Sequence, residues 1–160
     1  MMRRTTRGIA GLVVISAVMA LAAGSAVART SFSLHGVTLT RQPDSSWTGP
    51  ATLDGRKGKL TVTGPVDLAS NGQPQTIHFK WKAGKRVVEG CTVNEILQRP
   101  HGVMLWDGLG RITRTSRKER KYRGLHVGLT GPTHLGDESH AKVTVSSYTP
   151  SMSFPAVKCS

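Results

Sequence analysis

The chain reads as an all-β protein: a single antiparallel meander that closes into a barrel or stacks as a sandwich, with one short helix. Three observations predict this. Apolar residues recur at period two along most of the chain, turn residues punctuate it at short intervals, and the linkers are too short for the crossovers that parallel strands need. About nine or ten short strands fit the spacing of the turns.

The first segment stands apart from that pattern. Arg3, Arg4 and Arg7 precede an uncharged apolar run over 9–23, and Ala26-Val27-Ala28 supplies a small-residue cleavage site. This layout predicts a cleavable export signal over 1–28, removed before Arg29. The apolar run is short of the roughly 20 residues a spanning helix requires, so no membrane span is expected once the signal is gone. Residues 29–160 then form one domain, long enough for a single core.

In SFSLHGVTLT, Phe32 and Leu34 share one face, and Val37 and Leu39 resume it after Gly36, a phase shift that predicts a bulge. KLTVTG places Leu60 and Val62 inward. TIHFKWK alternates Ile77, Phe79 and Trp81 with His78, Lys80 and Lys82. GLHVGLTG and KVTVSSY continue the alternation through Leu125, Val127 and Leu129, then Val143 and Val145. Asp54-Gly55, Asn71-Gly72, Ala83-Gly84 and Asp107-Gly108 are predicted hairpin turns, because such pairs accept positive backbone angles. Thr-Gly-Pro at 48–50, 63–65 and 130–132 is expected to end or offset a strand, since proline cannot donate to a ladder. In TVNEILQRP, Thr92 and Glu95 have the spacing of a capping box and Pro100 is a stop, predicting a helix near 93–99.

The full chain carries 22 Lys and Arg against 9 Asp and Glu; without the three signal arginines, 19 remain against 9, a net charge of +10. Such an excess draws anions. Most of it is concentrated in RITRTSRKERKYRG, 111–124, where Arg111, Arg114, Arg117, Lys118, Arg120, Lys121 and Arg123 face one acid, Glu119. The register expected for 111–115 sets Arg111, Thr113 and Thr115 on one face and Arg114 on the other with Ile112. SRKERKYR is then a solvated loop. Lys80, Lys82, Lys85 and Arg86 form a second basic group around another turn. Guanidinium forks match phosphate oxygens, and Tyr122 offers a ring on which a base could stack. The competing reading is a charged loop serving only solubility.

Cys91 and Cys159 are the only cysteines. In an oxidising compartment they pair, pinning the tail to mid-chain, and with the signal they predict a periplasmic or extracellular protein.

Residues 106–131, WDGLGRITRTSRKERKYRGLHVGLTG, resemble the allene-oxide-cyclase and dirigent type of small β-barrel through Gly108, Gly110, Tyr122, Gly124 and Gly131. The resemblance implies an eight-stranded barrel whose apolar interior can hold a small ligand. The arginine- and lysine-filled loop departs from that pattern, so no ligand-binding or catalytic residue is carried over.

Two enzymatic alternatives and a carrier remain open. His134, Asp137 and His140 in HLGDESH have donor chemistry suited to zinc, though in no familiar spacing; an ordinary polar loop is the simpler reading, and no metal or cofactor is expected. Glu95, His101 and His126 with the arginines are the residue types of a ribonuclease-like phosphodiesterase. A carrier of a small apolar ligand, or an inhibitor of a secreted enzyme, is the third. The preferred reading is non-catalytic binding of a polyanion: nucleic acid, lipopolysaccharide or anionic wall polymer.

Overall fold

In the computed structural model the chain is a closed eight-stranded antiparallel barrel of meander topology, β1 to β8 in sequence order, with β1 pairing β8 to complete the ring. The structure describes residues 30–64, 75–98, 103–134, 139–149 and 159. The export signal expected over 1–28 and the Asn71-Gly72 turn lie outside them.

The strands are β1 (Ser33–Arg41), β2 (Trp47–Leu53), β3 (Arg56–Thr63), β4 (Gln75–Ala83), β5 (Arg86–Gln98), β6 (Val103–Thr115), β7 (His126–His134) and β8 (His140–Ser147). Their inward residues interdigitate as one cluster running from Phe32, just before β1, and Leu34 on β1 round to Val143 and Val145 on β8. Eight strands enclose just enough room for side chains to fill. Glycines make space for the largest of them. A Cβ at Gly58 would lie 2.7 Å from the Trp81 indole nitrogen, and one at Gly90 would lie 2.4 Å from the Phe79 ring. The Trp81 indole donates to the Ala51 carbonyl at 3.1 Å, so its one polar atom is satisfied inside the barrel.

The bulge expected at Gly36 is present. Register shifts between Leu34 and Val37, Gly36 has φ +59°, and its N–H donates to the Thr144 hydroxyl. The Asp54-Gly55 hairpin has both residues at positive φ, the signature of a type I′ turn. Below its upper rung, β1 no longer pairs β2, and Pro50 on β2 has no N–H to offer there.

Two expectations are overturned together. Residues 93–98 belong to strand β5, and Asp107-Gly108 lies in mid-strand on β6 rather than in a turn. β5 and β6 are paired from Val88↔Thr115 to Gln98↔Met104, while β4 covers the other edge of β5 as far as Asn94. A seven-residue helix is marginal by itself, whereas here the β6 ladder pairs the whole segment along one edge, β4 pairs its first two residues along the other, and Thr92 and Val93 are β-branched. Merging short segments into these two long strands also reduces the expected nine or ten to eight.

Candidate anion-binding face

In a meander, alternate connections emerge at the same end. The start of β1, the end of β8 and the β2–β3, β4–β5 and β6–β7 connections therefore share one rim, here called the lower end. The two basic groups of the sequence, around Gly84 and over 117–123, meet there, and Arg56 and Lys57 of the Asp54-Gly55 hairpin join them.

The β6–β7 connection is not the freely solvated loop the sequence suggests. Residues Arg117–Tyr122 form a 3-10 helix that turns two side chains, Glu119 and Tyr122, into the barrel mouth. The segment is docked by Ser116, whose N–H donates to the Val87 carbonyl at 2.9 Å and whose hydroxyl accepts from the Val87 N–H at 3.2 Å. Gly124, at φ +80°, then returns the chain to β7, its N–H donating to the Ile112 carbonyl at 2.9 Å.

Tyr122 is fully buried and packs edge-on against Phe32, with ring centroids 5.5 Å apart. Its hydroxyl donates to Asp54 Oδ2, which also accepts from the Lys121 ammonium at 2.6 Å. These two bonds, Lys121 first, hold the Asp54 carboxyl below its ordinary range, and burial chiefly pushes the Tyr122 hydroxyl up. Tyr122 thus plugs the barrel and presents no ring face for a base, which corrects the stacking role expected of it.

Glu119 is fully buried and ion-paired with Arg86, whose side chain is 22% exposed. The bond to Glu119 is the main reason Arg86 is held more firmly protonated than usual. Arg86 is therefore a clamp between the β4–β5 turn and the 3-10 helix, joining the two basic groups into one surface.

Arg114 also departs from expectation. Gly90 pairs Ile112 and Glu89 pairs Arg114, so Thr113 is an extra residue in β6, a bulge that swings Arg114 to the outer wall. There it lies 3.4 Å from Glu89, which also receives Lys80 at 2.7 Å. The Lys80 bond is the largest influence holding the Glu89 carboxyl below its ordinary value.

Each acid of this face is thus matched: Asp54 by Lys121, Glu119 by Arg86, Glu89 by Lys80 and Arg114. Lys85, Arg117, Lys118, Arg120 and Arg123 are exposed and make no ion pair among the described residues. Arg111, exposed on β6, donates to the Gly124 carbonyl at 3.4 Å, and Lys82 is exposed on β4. Arg56, Lys57 and Lys59 complete the face and do not stand out in the sequence as members of either basic group. The parity of meander connections, applied to DGRKGK at 54–59, is the signal that identifies them.

The disulfide joins Cys91 to Cys159, with Cα atoms 5.8 Å apart. Cys91 pairs the outward His78 and Arg111, so it lies on the outer wall, yet it is fully buried.

The alternative centres are not assembled among the described residues. No group of three or more metal-ligating side chains occurs there. His140 is exposed with its Nδ1 2.7 Å from the Ser139 hydroxyl, while the His134 side chain and Asp137 lie outside the described set. His126 stands against the Tyr148 ring, centroids 5.8 Å apart; the Glu95 side chain and His101 fall outside the described set. No helix among the described residues is long and apolar enough to cross a membrane.

No family model matches the chain, and neither the curated proteins nor the solved structures contain a match.

Proposed function

We propose that this is an exported, non-catalytic protein that binds polyanions through the lower end of its barrel. The observation that carries the reading is the convergence of three cationic connections on one rim whose acids are already ion-paired. An incoming anion there meets guanidinium and ammonium groups that need not first be released from carboxylates. Arginine forks supply bidentate contacts to phosphate or sulfate oxygens, and the net positive field speeds encounter. Nucleic acid, lipopolysaccharide and anionic wall polymer all present such oxygens. The disulfide supports an oxidising compartment and, together with the signal-like segment, the reading of a periplasmic or extracellular protein. The lower half of the interior is filled by Trp81, Phe79, Phe32 and Tyr122, which leaves the small-ligand reading without support there.

The experiment is a salt titration of binding to a labelled single-stranded oligonucleotide. Replacing Arg117, Lys118, Arg120 and Arg123 by serine should lower affinity more than tenfold. It should also flatten the slope of log affinity against log salt by about 3, because each phosphate left without its cation removes roughly 0.7. Unchanged affinity and slope in that variant would overturn the reading.

A further inference from the structure

The outer wall above the rim carries an arrangement that folding alone disfavours. Lys59 on β3 and Lys82 on β4 are direct cross-strand partners, both exposed, and neither is ion-paired among the described residues. Like charges set opposite each other in an antiparallel pair destabilise it. One rung further up, Thr61 pairs Lys80, and Lys80 pairs Glu89, which Arg114 also approaches. At and above that rung lies a shallow hollow lined by Thr61, Thr63, His78 and Thr113 together with the ion-paired Lys80 and Glu89, opening at Gly90 beside the Thr113 bulge. Cations therefore continue from Arg56 at the rim up the wall to Lys80, opposite Thr61, five residues or about 17 Å at strand rise, and end beside Glu89 and the threonine hydroxyls.

This surface turns a corner. Its lower part is the end of the barrel and its upper part is the side, so a partner touching both must bend within roughly one barrel radius. Duplex DNA, with a persistence length of about 150 base pairs, does not follow such a corner without a large bending cost. Among the described residues, Tyr122, Phe79 and Trp81 are buried, and the partly exposed rings at this end, His126 and Tyr148, stand against each other, so no free tyrosine, tryptophan or phenylalanine ring faces the Lys59/Lys82 wall. We infer that the Lys59/Lys82 wall is the second half of a binding track for a flexible, single-chain phosphate polymer, read through its repeated anions rather than through bases. The inference rests on the polyanion reading and adds the path and stiffness of the partner.

The test compares long-chain inorganic polyphosphate, tripolyphosphate and a duplex oligonucleotide on the full mature chain. The probed variants are K59S/K82S and the rim variant R117S/K118S/R120S/R123S. Relief of the like-charge pair should leave K59S/K82S at least as heat-stable as the parent, which serves as its folding control. Expected is a fivefold or greater loss of long-chain affinity in K59S/K82S, a salt slope lower by about 1.4, and no change for tripolyphosphate, which the rim alone can hold. If K59S/K82S binds the long chain normally while the rim variant does not, the track is refuted and the rim reading survives. If neither variant changes binding, both fall. Duplex binding as tight as that of the long chain, and equally sensitive to K59S/K82S, would refute the flexible partner.

Discussion

Tyr122 is the residue on which the basic connection depends, and its truncation gives the sharpest test of the plug. The ring is fully buried, packs edge-on against Phe32 and anchors the only helical turn described. Tyr122→Ala removes a whole aromatic side chain from the mouth of the barrel. Large aromatic-to-alanine changes cost about 3–5 kcal/mol, made up of lost transfer free energy and a residual cavity. For a domain of roughly 130 residues the unfolding entropy is about 0.27 kcal/mol per kelvin, so 4 kcal/mol lowers Tm by about 15 °C. Tyr122→Phe keeps the ring and loses only the bond to Asp54, whose side chain is 41% exposed and keeps Lys121 as a partner. That variant should lose about 1 kcal/mol, or about 4 °C. Thermal unfolding followed by near-ultraviolet circular dichroism reads both. A Tyr122→Ala protein melting within 3–4 °C of the parent would refute the buried plug and restore a free loop.

Three further outcomes follow from the same structure. Reducing the Cys91–Cys159 bond, with a sequence separation of 68, should cost about 4 kcal/mol by the chain-entropy relation, and an unchanged melt with both thiols titrated free would contradict that. Arg86→Met should destabilise more than Glu119→Gln, because it strands a fully buried carboxylate, whereas the partly exposed guanidinium can turn to water; the double variant Arg86→Met/Glu119→Leu should recover much of the loss, and the reverse order in thermal melts would show that the pair is not a clamp. Asp44, Asp54 and Glu89 all have lowered folded-state values, held respectively by Ser46, Lys121 and Lys80, so their stabilisation is present above the ordinary 3.8 and 4.5 and is lost as pH falls through the folded values. Tm should therefore hold from neutral to about pH 5 and drop below about pH 4, and Asp54→Asn with Glu89→Gln should flatten that acid limb.

The barrel was legible because period two survives wherever one face is buried, as in Ile77-Phe79-Trp81, and because Gly36 interrupts it visibly. The helix at 93–99 was misread for a physical reason. A capping box reports only hydrogen-bonding options within one turn, and the β4 and β6 ladders that override it come from the neighbouring strands, outside that window. Asp107-Gly108 fails similarly, since a turn pair inside a strand paired on both edges has no room to reverse. Within the candidate face, the cations of 111–123 and 80–86 were visible as composition. Their division into ion-paired and unpaired groups was not. Arg86 and Lys121 differ from Lys85 and Lys118 only through Glu119 and Asp54, and those ion pairs exist only once the 3-10 helix has folded into the mouth.

The same division bears on whether the charge serves solubility alone. A surface evolved only to stay dispersed gains most from acids and bases interspersed, with each sign diluting the other. Here the three acids of the rim and its wall are each placed against cations, two of them fastening connections across the barrel mouth. Lys85, Arg117, Lys118, Arg120 and Arg123 remain outward and close together, and Lys59 stands opposite Lys82. Mutual repulsion among these groups costs folding free energy and adds nothing to the core. The other described acids lie toward the opposite end: Asp44 in the β1–β2 connection, where Lys59 is a minor influence on its carboxyl, and Asp107 exposed on β6. That the cations are left clustered, with the acids either spent on the clamp or set elsewhere, is the pattern expected of a surface whose missing counter-charge arrives with a partner.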